Sequence, residues 1–66
     1  MFDNVKLRKL REEKGMSAAA LGEAVGCSGA MITYLEQGKK EPSAKLLHFI
    51  ARELGVNMDE LYSDNK

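Results

Sequence analysis

Residues 17–37, SAAALGEAVGCSGAMITYLEQ, decide the fold. Aliphatic residues recur at helical intervals on both sides of Gly26 within this stretch. A serine precedes each half, where a helix would need an N-cap, because a serine hydroxyl oxygen can accept from a free backbone N–H. The stretch therefore predicts two short helices joined by a tight turn, over residues 18–25 and 29–36.

Two glycines indicate how these helices meet. Gly22 falls in the middle of the first helix, where a side chain would hold the second backbone away and a glycine lets it approach. Gly26 lies in the turn, where it permits a left-handed backbone that a Cβ resists. Two helices that cross steeply through a short turn form a helix-turn-helix pair.

The same pattern of stops and starts continues outside the pair and predicts an all-α, compact five-helix bundle. Glycines end the helical runs, capping residues open the next ones, and apolar spacings of three and four argue against strands. Asn57 with Glu60 resembles a capping box for the last helix. The predicted helices cover residues 4–14, 18–25, 29–36, 44–54 and 58–62, in one domain of residues 1–66 with a helix pair at about 17–37 and a short C-terminal helix at about 57–62.

Length and composition narrow the class of protein. Sixty-six residues allow one small core, and a single cysteine excludes a disulfide framework. No apolar run approaches the roughly 18 residues of a membrane span, and residues 1–6 lack the apolar stretch of a secretory signal. We therefore expect a cytoplasmic protein without membrane contact.

The charge is zero overall but uneven along the chain. Residues 1–52 carry nine basic against six acidic residues, a net +3, and residues 53–66 carry one against four, a net −3. A basic part could contact a polyanion while an acidic end stays away from it, and the alternative is ordinary solvated surface.

Residue types for catalysis or metal binding are scarce. One histidine, His48, and one cysteine, Cys27, are too few for a zinc site or a nucleophile–base pair. Cys27 is expected to be a small buried hydrophobe, and the alternative is a reactive thiol, because a helix N-terminus lowers a thiol pKa. We expect no enzyme activity, no metal, no cofactor and no small-molecule effector.

Further motifs follow the helix pair in the order of a known family. They are Leu10 to Ser17 (LREEKGMS), Leu21 to Gly26, Ile32, Glu36, Gly38-Lys39, Pro42-Ser43, Ile50-Ala51, Leu54-Gly55-Val56 and Asp59-Glu60-Leu61. With these residues the chain resembles the phage repressor and Cro-type helix-turn-helix domain, also called the XRE family, over residues 5–62 without a gap. The resemblance implies a transcriptional regulator that binds double-stranded DNA sequence-specifically.

The resemblance also implies roles for individual residues. The recognition helix, Ser28 to Glu36, is expected to enter the major groove. The residues expected to face the bases are Ser28, Gly29, Ala30, Thr33, Tyr34 and Gln37. Those expected to contact phosphates are Lys14, Ser17, Lys39 and Lys40. Arg11 and Glu36 match a pair that forms an ion pair between the first and third helices of family members.

Three positions depart from the family pattern. The glutamine usual after the cap of the second helix is Ala18 here, and residues 28–36 lack the Arg, Asn and Gln side chains that make bidentate base contacts. Readout would then use hydroxyls, DNA shape and apolar contact between Ala30 and thymine methyl groups, with modest specificity and strong salt sensitivity. Phe49 replaces a usually polar residue and either packs on Phe2 or joins a self-complementary patch.

A weak set of base contacts favours two copies acting together. A twofold dimer doubles the contacts at half-sites one helical turn apart, so we expect a homodimer on a palindromic operator. Its predicted interface consists of Val56, Met58, Leu61 and Tyr62.

The alternative function is a protein-interaction module on the same fold, as in antitoxins. Lysines around the recognition helix would favour DNA as the partner. Glu23, Glu41 or Glu53 around it would instead favour a protein.

Overall fold

Four α-helices and one 3-10 turn make up the fold in the computed structural model, which describes residues 1–62. The elements are α1 (Asn4–Glu13), α2 (Ala18–Val25), α3 (Gly29–Glu36), α4 (Ala44–Leu54) and the 3-10 turn (Met58–Leu61). Residues 1–62 form no strand, although Phe2 and Tyr62 make an isolated antiparallel bridge. The all-α prediction is confirmed, and the last part of the predicted domain, residues 63–66, lies outside the described residues.

The predicted fifth α-helix is wrong. Residues 58–61 make a single 3-10 turn, and the side chain of Asn57 forms no capping hydrogen bond. Four residues are too few for a run of i→i−4 bonds, since the first helical turn fixes many dihedrals for one hydrogen bond. The turn is held instead by Leu61, which is fully buried and whose carbonyl accepts from the N–H of Asp3 at 2.8 Å.

Serine caps begin the three central helices, as predicted. Each serine hydroxyl oxygen accepts from the backbone N–H three residues further on, at 3.0 to 3.1 Å: Ser17 from Ala20, Ser28 from Met31, and Ser43 from Leu46. A cap of this kind stabilises a helix by about 1 kcal/mol. Because α2 and α3 have only eight residues each, these bonds matter to their existence.

Gly22 is the point at which α2 and α3 cross, with a bend of 110° between the helices. A Cβ added to Gly22 would lie 2.6 Å from both the backbone carbon and the carbonyl oxygen of Ser28. The turn residue Gly26 has a φ of +86°, in the left-handed region. Both predicted glycine roles are confirmed. Within residues 1–62 no single helix is long and apolar enough to cross a membrane. Only α2 and α3 taken together have that length and apolar character, and they are bent by 110° relative to each other.

Each element contributes side chains to one core. The buried residues are Phe2, Leu7, Leu21, Val25, Ile32, Leu35, Leu47, Ile50, Ala51, Leu54 and Leu61. Val5, an apolar residue of α1, is 71% exposed. It precedes the buried Leu7 by two residues, and such residues lie on nearly opposite sides of a helix.

Phe49 is a residue of α4 and borders the space between α4 and α2. It borders one surface depression of about 360 Å³ with Val25 and Gly26, and a second of about 290 Å³ with Ala24. Phe2 instead pairs with Tyr62. Phe49 is half-buried and packs against the core, in agreement with the first of its two sequence-based interpretations. The residues that share its two depressions belong to α2, to α4 and to the caps of these helices, and Phe2 is not among them.

Candidate nucleic-acid interface

One face of α3 packs on the core and the opposite face is open to solvent. Ile32 and Leu35 are fully buried, whereas Ala30, Tyr34 and Gln37 are exposed. These three residues are spaced at i, i+4 and i+7, so they follow one another along one side of the helix. We call Ala30, Tyr34 and Gln37 the outer ridge.

Two of the three hydroxyl groups expected to read bases, those of Ser28 and Thr33, already make local hydrogen bonds. The Ser28 hydroxyl oxygen accepts from the N–H of Met31 at 3.0 Å, which leaves its proton free to donate. The Thr33 hydroxyl donates to the carbonyl of Gly29 at 3.1 Å, and Thr33 is half-buried. Both groups can make at most part of the base contacts that the sequence assigns to them.

Gly29 packs against α2 and has no side chain to offer a base. A Cβ built at Gly29 would lie 2.9 Å from the Cα and 3.3 Å from the Cβ of Ala19. A side chain at Gly29 would point at Ala19, so only the backbone of Gly29 could approach a base, and the prediction that Gly29 faces the bases stays a prediction. The contact with Ala19 depends on how α3 crosses α2, so no local sequence pattern indicates it.

An ion pair fixes the C-terminal end of α3 on α1, as the resemblance implies. Arg11 donates through Nε to Glu36 Oε2 at 2.6 Å and through a terminal nitrogen to Oε1 at 3.1 Å. The side chains are only 13% and 8% exposed. The hydrogen bond to Glu36 raises the pKa of Arg11, an effect that burial partly opposes. The other terminal nitrogen donates to the carbonyl of Met16 at 2.7 Å.

A second contact between α1 and α3 was missed in the sequence. Asn4 donates from its side-chain amide to the backbone carbonyl of Glu36 at 2.9 Å. This carbonyl is one of the groups left without a helical partner at the end of α3. Asn4 and Glu36 are 32 positions apart in the sequence, so no local sequence pattern predicts this bond.

The residues predicted to contact phosphates lie in different places. Lys39 and Lys40 are exposed and follow α3 after its two-residue C-cap turn, Gln37-Gly38, and Ser17 is exposed at the start of α2. Lys14 is exposed too, but its Nζ lies 4.0 Å from the point where a Gly55 Cβ would be, next to the end of α4. An ammonium group is favourable near a helix C-terminus, so this position suits Lys14 independently of any phosphate.

The outer ridge itself contains no charged side chain. Glu36 is the only charged residue of α3, and Arg11 pairs with it. Glu53 shares a depression with Ala24 and Arg52, between α2 and α4. Glu23 and Glu41 are exposed, on α2 and in the segment before α4.

The predicted dimer residues differ in exposure. Leu61 is fully buried, so its assignment to an interface is wrong: the core uses this side chain. Val56 and Met58 are half-buried and pack against the core, while Tyr62 is 45% exposed.

Cys27 is half-buried in the turn between α2 and α3, and its Sγ lies 3.6 Å from the carbonyl oxygen of Ser28. Burial raises the pKa of the thiol. This direction favours the small hydrophobe over the reactive thiol. His48 is exposed and its ring centroid lies 5.7 Å from that of Phe49. Within residues 1–62, no three His, Cys, Asp or Glu side chains gather as metal ligands would.

We expect Cys27 to react several-fold more slowly with a thiol reagent in the native protein than in urea at pH 8, because less thiolate is present. The raised pKa also favours the protonated thiol in the folded state. The stability that the protonated Cys27 thiol contributes is therefore present below the ordinary thiol pKa of about 8.5. It is lost as the pH rises through the raised pKa of Cys27 in the folded protein. Equal rates in both states, measured by the colour of the released thiol product, would contradict this.

Comparison with known proteins agrees with this geometry. The profile of the helix-turn-helix family matches residues 7–61, and the chain belongs to that family. It is 33% identical over 57 residues to an uncharacterised HTH-type transcriptional regulator of Archaeoglobus fulgidus, covering 86% of this chain and 81% of the relative.

Two solved structures are also similar to it. The P22 c2 repressor in complex with a synthetic operator superposes with a TM-score of 0.90 and 26% identity, covering 98% of each chain. The biofilm master regulator SinR in complex with DNA superposes with a TM-score of 0.82 and 25% identity, covering 88% of this chain and 94% of the other. The repressor-like resemblance noted in the sequence is confirmed.

Proposed function

We propose that this protein is a transcriptional regulator that inserts α3 into the major groove of double-stranded DNA, in a cytoplasmic setting and without a catalytic role. The observation that carries the proposal is the outer ridge: an uncharged, exposed face on a helix that Arg11 and Asn4 fix in place. Residues 1–62 act in it as a single domain. The structure of a relative in complex with its operator supports the same use of the fold.

Phosphate contacts would position α3 without reading sequence. Lys39 and Lys40 follow the C-terminal end of α3, and Ser17 opens α2 with its hydroxyl oxygen engaged in the cap and its proton free. The N-terminus of α2 carries the positive end of its dipole, which favours a phosphate there. Lys14 enters the proposal as the weakest of the predicted contacts, because it lies next to Gly55.

A salt series of duplex binding tests the proposal. Each lysine that neutralises a phosphate should contribute about one to the slope of log affinity against log salt, so we expect Lys39→Gln and Lys40→Gln each to reduce the slope by roughly one. Lys14→Gln should leave it nearly unchanged. Lys9→Gln, an exposed lysine of α1 without an assigned contact, is the control.

Absence of binding to any duplex at low salt would overturn the proposal. In that case a protein partner becomes the function of this surface. An equal loss of slope in the Lys9 control would show that the effect is one of net charge rather than of position.

We further propose that two copies bind together on a palindromic site. With Leu61 buried, the surface available at this end consists of Val56, Met58 and Tyr62, of which Tyr62 is the most exposed. Contacts of one small domain are few, and a twofold pair doubles them.

We expect Tyr62→Ser to weaken binding to a palindromic duplex by at least about tenfold while leaving binding to a single half-site unchanged. Sedimentation with and without DNA would show the stoichiometry. A 7.3 kDa species at high micromolar concentration that retains full affinity for the palindrome would rule out the paired arrangement.

A further inference from the structure

The turn that ends α3 uses the helix carbonyls in a regular way. The N–H of Gly38 donates to the carbonyl of Leu35 at 3.2 Å, and the N–H of Lys39 donates to the carbonyl of Tyr34 at 3.0 Å. With Gly38 at a φ of +78°, these two bonds form a Schellman motif. The motif does not use the carbonyl of Glu36, the last residue of the helix, so this group needs a partner from elsewhere.

Asn4 of α1 contacts this turn in two ways. Its side-chain amide donates to the carbonyl of Glu36 at 2.9 Å, which fixes the peptide unit that leads into the turn. The same side chain lies against Gly38, where an added Cβ would be 3.5 Å from Nδ2 and 3.7 Å from Cγ of Asn4, both ordinary van der Waals distances. The half-buried side chain of Asn4 therefore contacts both ends of the segment from Glu36 to Gly38.

Lys39 and Lys40 come immediately after this segment. Both are exposed, and within residues 1–62 neither of them forms an ion pair. The direction in which they leave α3 depends on Gly38, and glycine has more backbone freedom than any other residue. The contacts of Asn4 restrict the segment at the point where the glycine itself does not.

We infer that Asn4 is a positioning residue for phosphate contact, because it orients the turn that presents Lys39 and Lys40 to the DNA backbone. The assignment rests on the proposed function, in which these two lysines contact phosphates. It differs from the role of Arg11, which holds the side chain of Glu36 and with it the helix. A turn that is restricted before binding loses less conformational freedom on binding, so the restriction raises affinity.

Asn4→Ala tests the inference in a salt series with a random-sequence duplex. Alanine has a higher helix propensity than asparagine, so α1 is not weakened by the change, whereas the bond to Glu36 and the contact with Gly38 are lost. We expect affinity to fall about three- to tenfold, the effect of one net hydrogen bond. The slope of log affinity against log salt should fall by about one, because the lysines meet the phosphates less closely.

The ratio of affinities for two duplexes separates positioning of the lysines from orientation of α3. Phosphate contacts carry no sequence information, so Asn4→Ala should weaken binding to a duplex selected from a random library as much as binding to the random-sequence duplex. A residue that acted through the base-facing side of α3 would instead lower this ratio.

Two further variants complete the set. Asn4→Leu keeps the shape that packs on Gly38 but removes the donor, and we expect it to reduce the slope as well. Asn57→Ala is the matched control, because Asn57 is exposed and its side chain forms no capping hydrogen bond. It should change neither affinity nor slope. Helical circular dichroism of each variant verifies that it is folded.

Combination with the lysine variants tests the coupling directly. In a protein that carries both Lys39→Gln and Lys40→Gln, Asn4→Ala should cause no further change in slope and almost none in affinity, because the groups that Asn4 positions are absent. Independent contributions would add instead.

A measurement without DNA addresses the turn itself. The NMR order parameters of the backbone amides of Gly38, Lys39 and Lys40 should fall in Asn4→Ala, while that of Ser17 at the start of α2 stays unchanged. Unchanged order parameters in the turn would overturn the inference.

The binding results can also overturn it. An unchanged salt slope in Asn4→Ala, a full loss of affinity in the background without the lysines, or an equal effect of Asn57→Ala would each do so. A lower ratio of selected to random binding would assign Asn4 to base reading instead. If the unaltered protein binds no duplex at low salt, the proposed function itself fails, and the order parameters still decide whether Asn4 restricts the turn.

Discussion

Gly22→Val is expected to leave no folded protein at room temperature. The added Cβ would lie 2.6 Å from the backbone carbon and oxygen of Ser28, and backbone atoms cannot move aside as a flexible side chain would. Overpacking a core by single methylene groups already costs about 1–3 kcal/mol. A domain of this size has a total stability of only about 3–5 kcal/mol, and valine brings three carbon atoms to the crossing of α2 and α3.

Gly22→Ala measures the same clash in a protein that remains partly folded. We expect its free energy of unfolding in urea to fall by about 2 kcal/mol or more, although alanine has a higher helix propensity than glycine by about 1 kcal/mol. Gly15→Ala is the matched control, because a Cβ there meets open space and only the φ of +71° opposes it. The control should lose about 1 kcal/mol. A Gly22→Ala protein more stable than the original would show that the helices do not cross at this point.

Arg11→Met is expected to lower the free energy of unfolding by about 3 kcal/mol, because it leaves the nearly buried carboxylate of Glu36 without its partner. The change also removes the donor to the carbonyl of Met16. Since Arg11 holds the end of α3, DNA affinity should fall even under conditions in which the variant is still folded. Urea denaturation followed by circular dichroism gives the stability, and duplex titration gives the affinity.

The double variant Arg11→Met with Glu36→Gln distinguishes the charge from the packing. It removes the unpaired carboxylate, so part of the lost stability should return, although the Met16 carbonyl stays without its donor. Arg8→Met is the matched control, because the Arg8–Glu12 pair is exposed and such pairs contribute about 0–1 kcal/mol. If Arg11→Met were no more destabilising than Arg8→Met, the buried pair would not be what fixes α3.

Local signals in the sequence located most of the helices. The bounds of α2, α3 and α4 follow from the serine caps and from the glycines that end each run, because these act over three or four residues. Gly22 was also recognised, since a small residue in an otherwise regular helix needs a close neighbour. The error at Asn57 has the same local origin, because a capping pattern does not reveal how many residues follow it in helical form.

Contacts between distant residues were harder to predict. The fit of Gly29 against Ala19 depends on the angle at which α3 crosses α2, and the bond from Asn4 to Glu36 depends on where α1 lies. Neither leaves a pattern in a single sequence. The Arg11–Glu36 pair was predicted only because family members carry it, and nothing in the spacing of these two residues indicates it.

The contacts of α1 with the end of α3 also determine which part of the chain can fold and function by itself. Two of the bonds that orient the DNA-facing helix come from Asn4 and Arg11, outside the helix-turn-helix stretch. A synthetic peptide of residues 17–37 would keep its serine caps and its crossing glycine, yet each helix would be too short to persist by itself. Transfer of the helix-turn-helix stretch to another scaffold therefore requires α1 as well. A graft that omits α1 would keep the sequence of the motif but lose the contacts that orient α3.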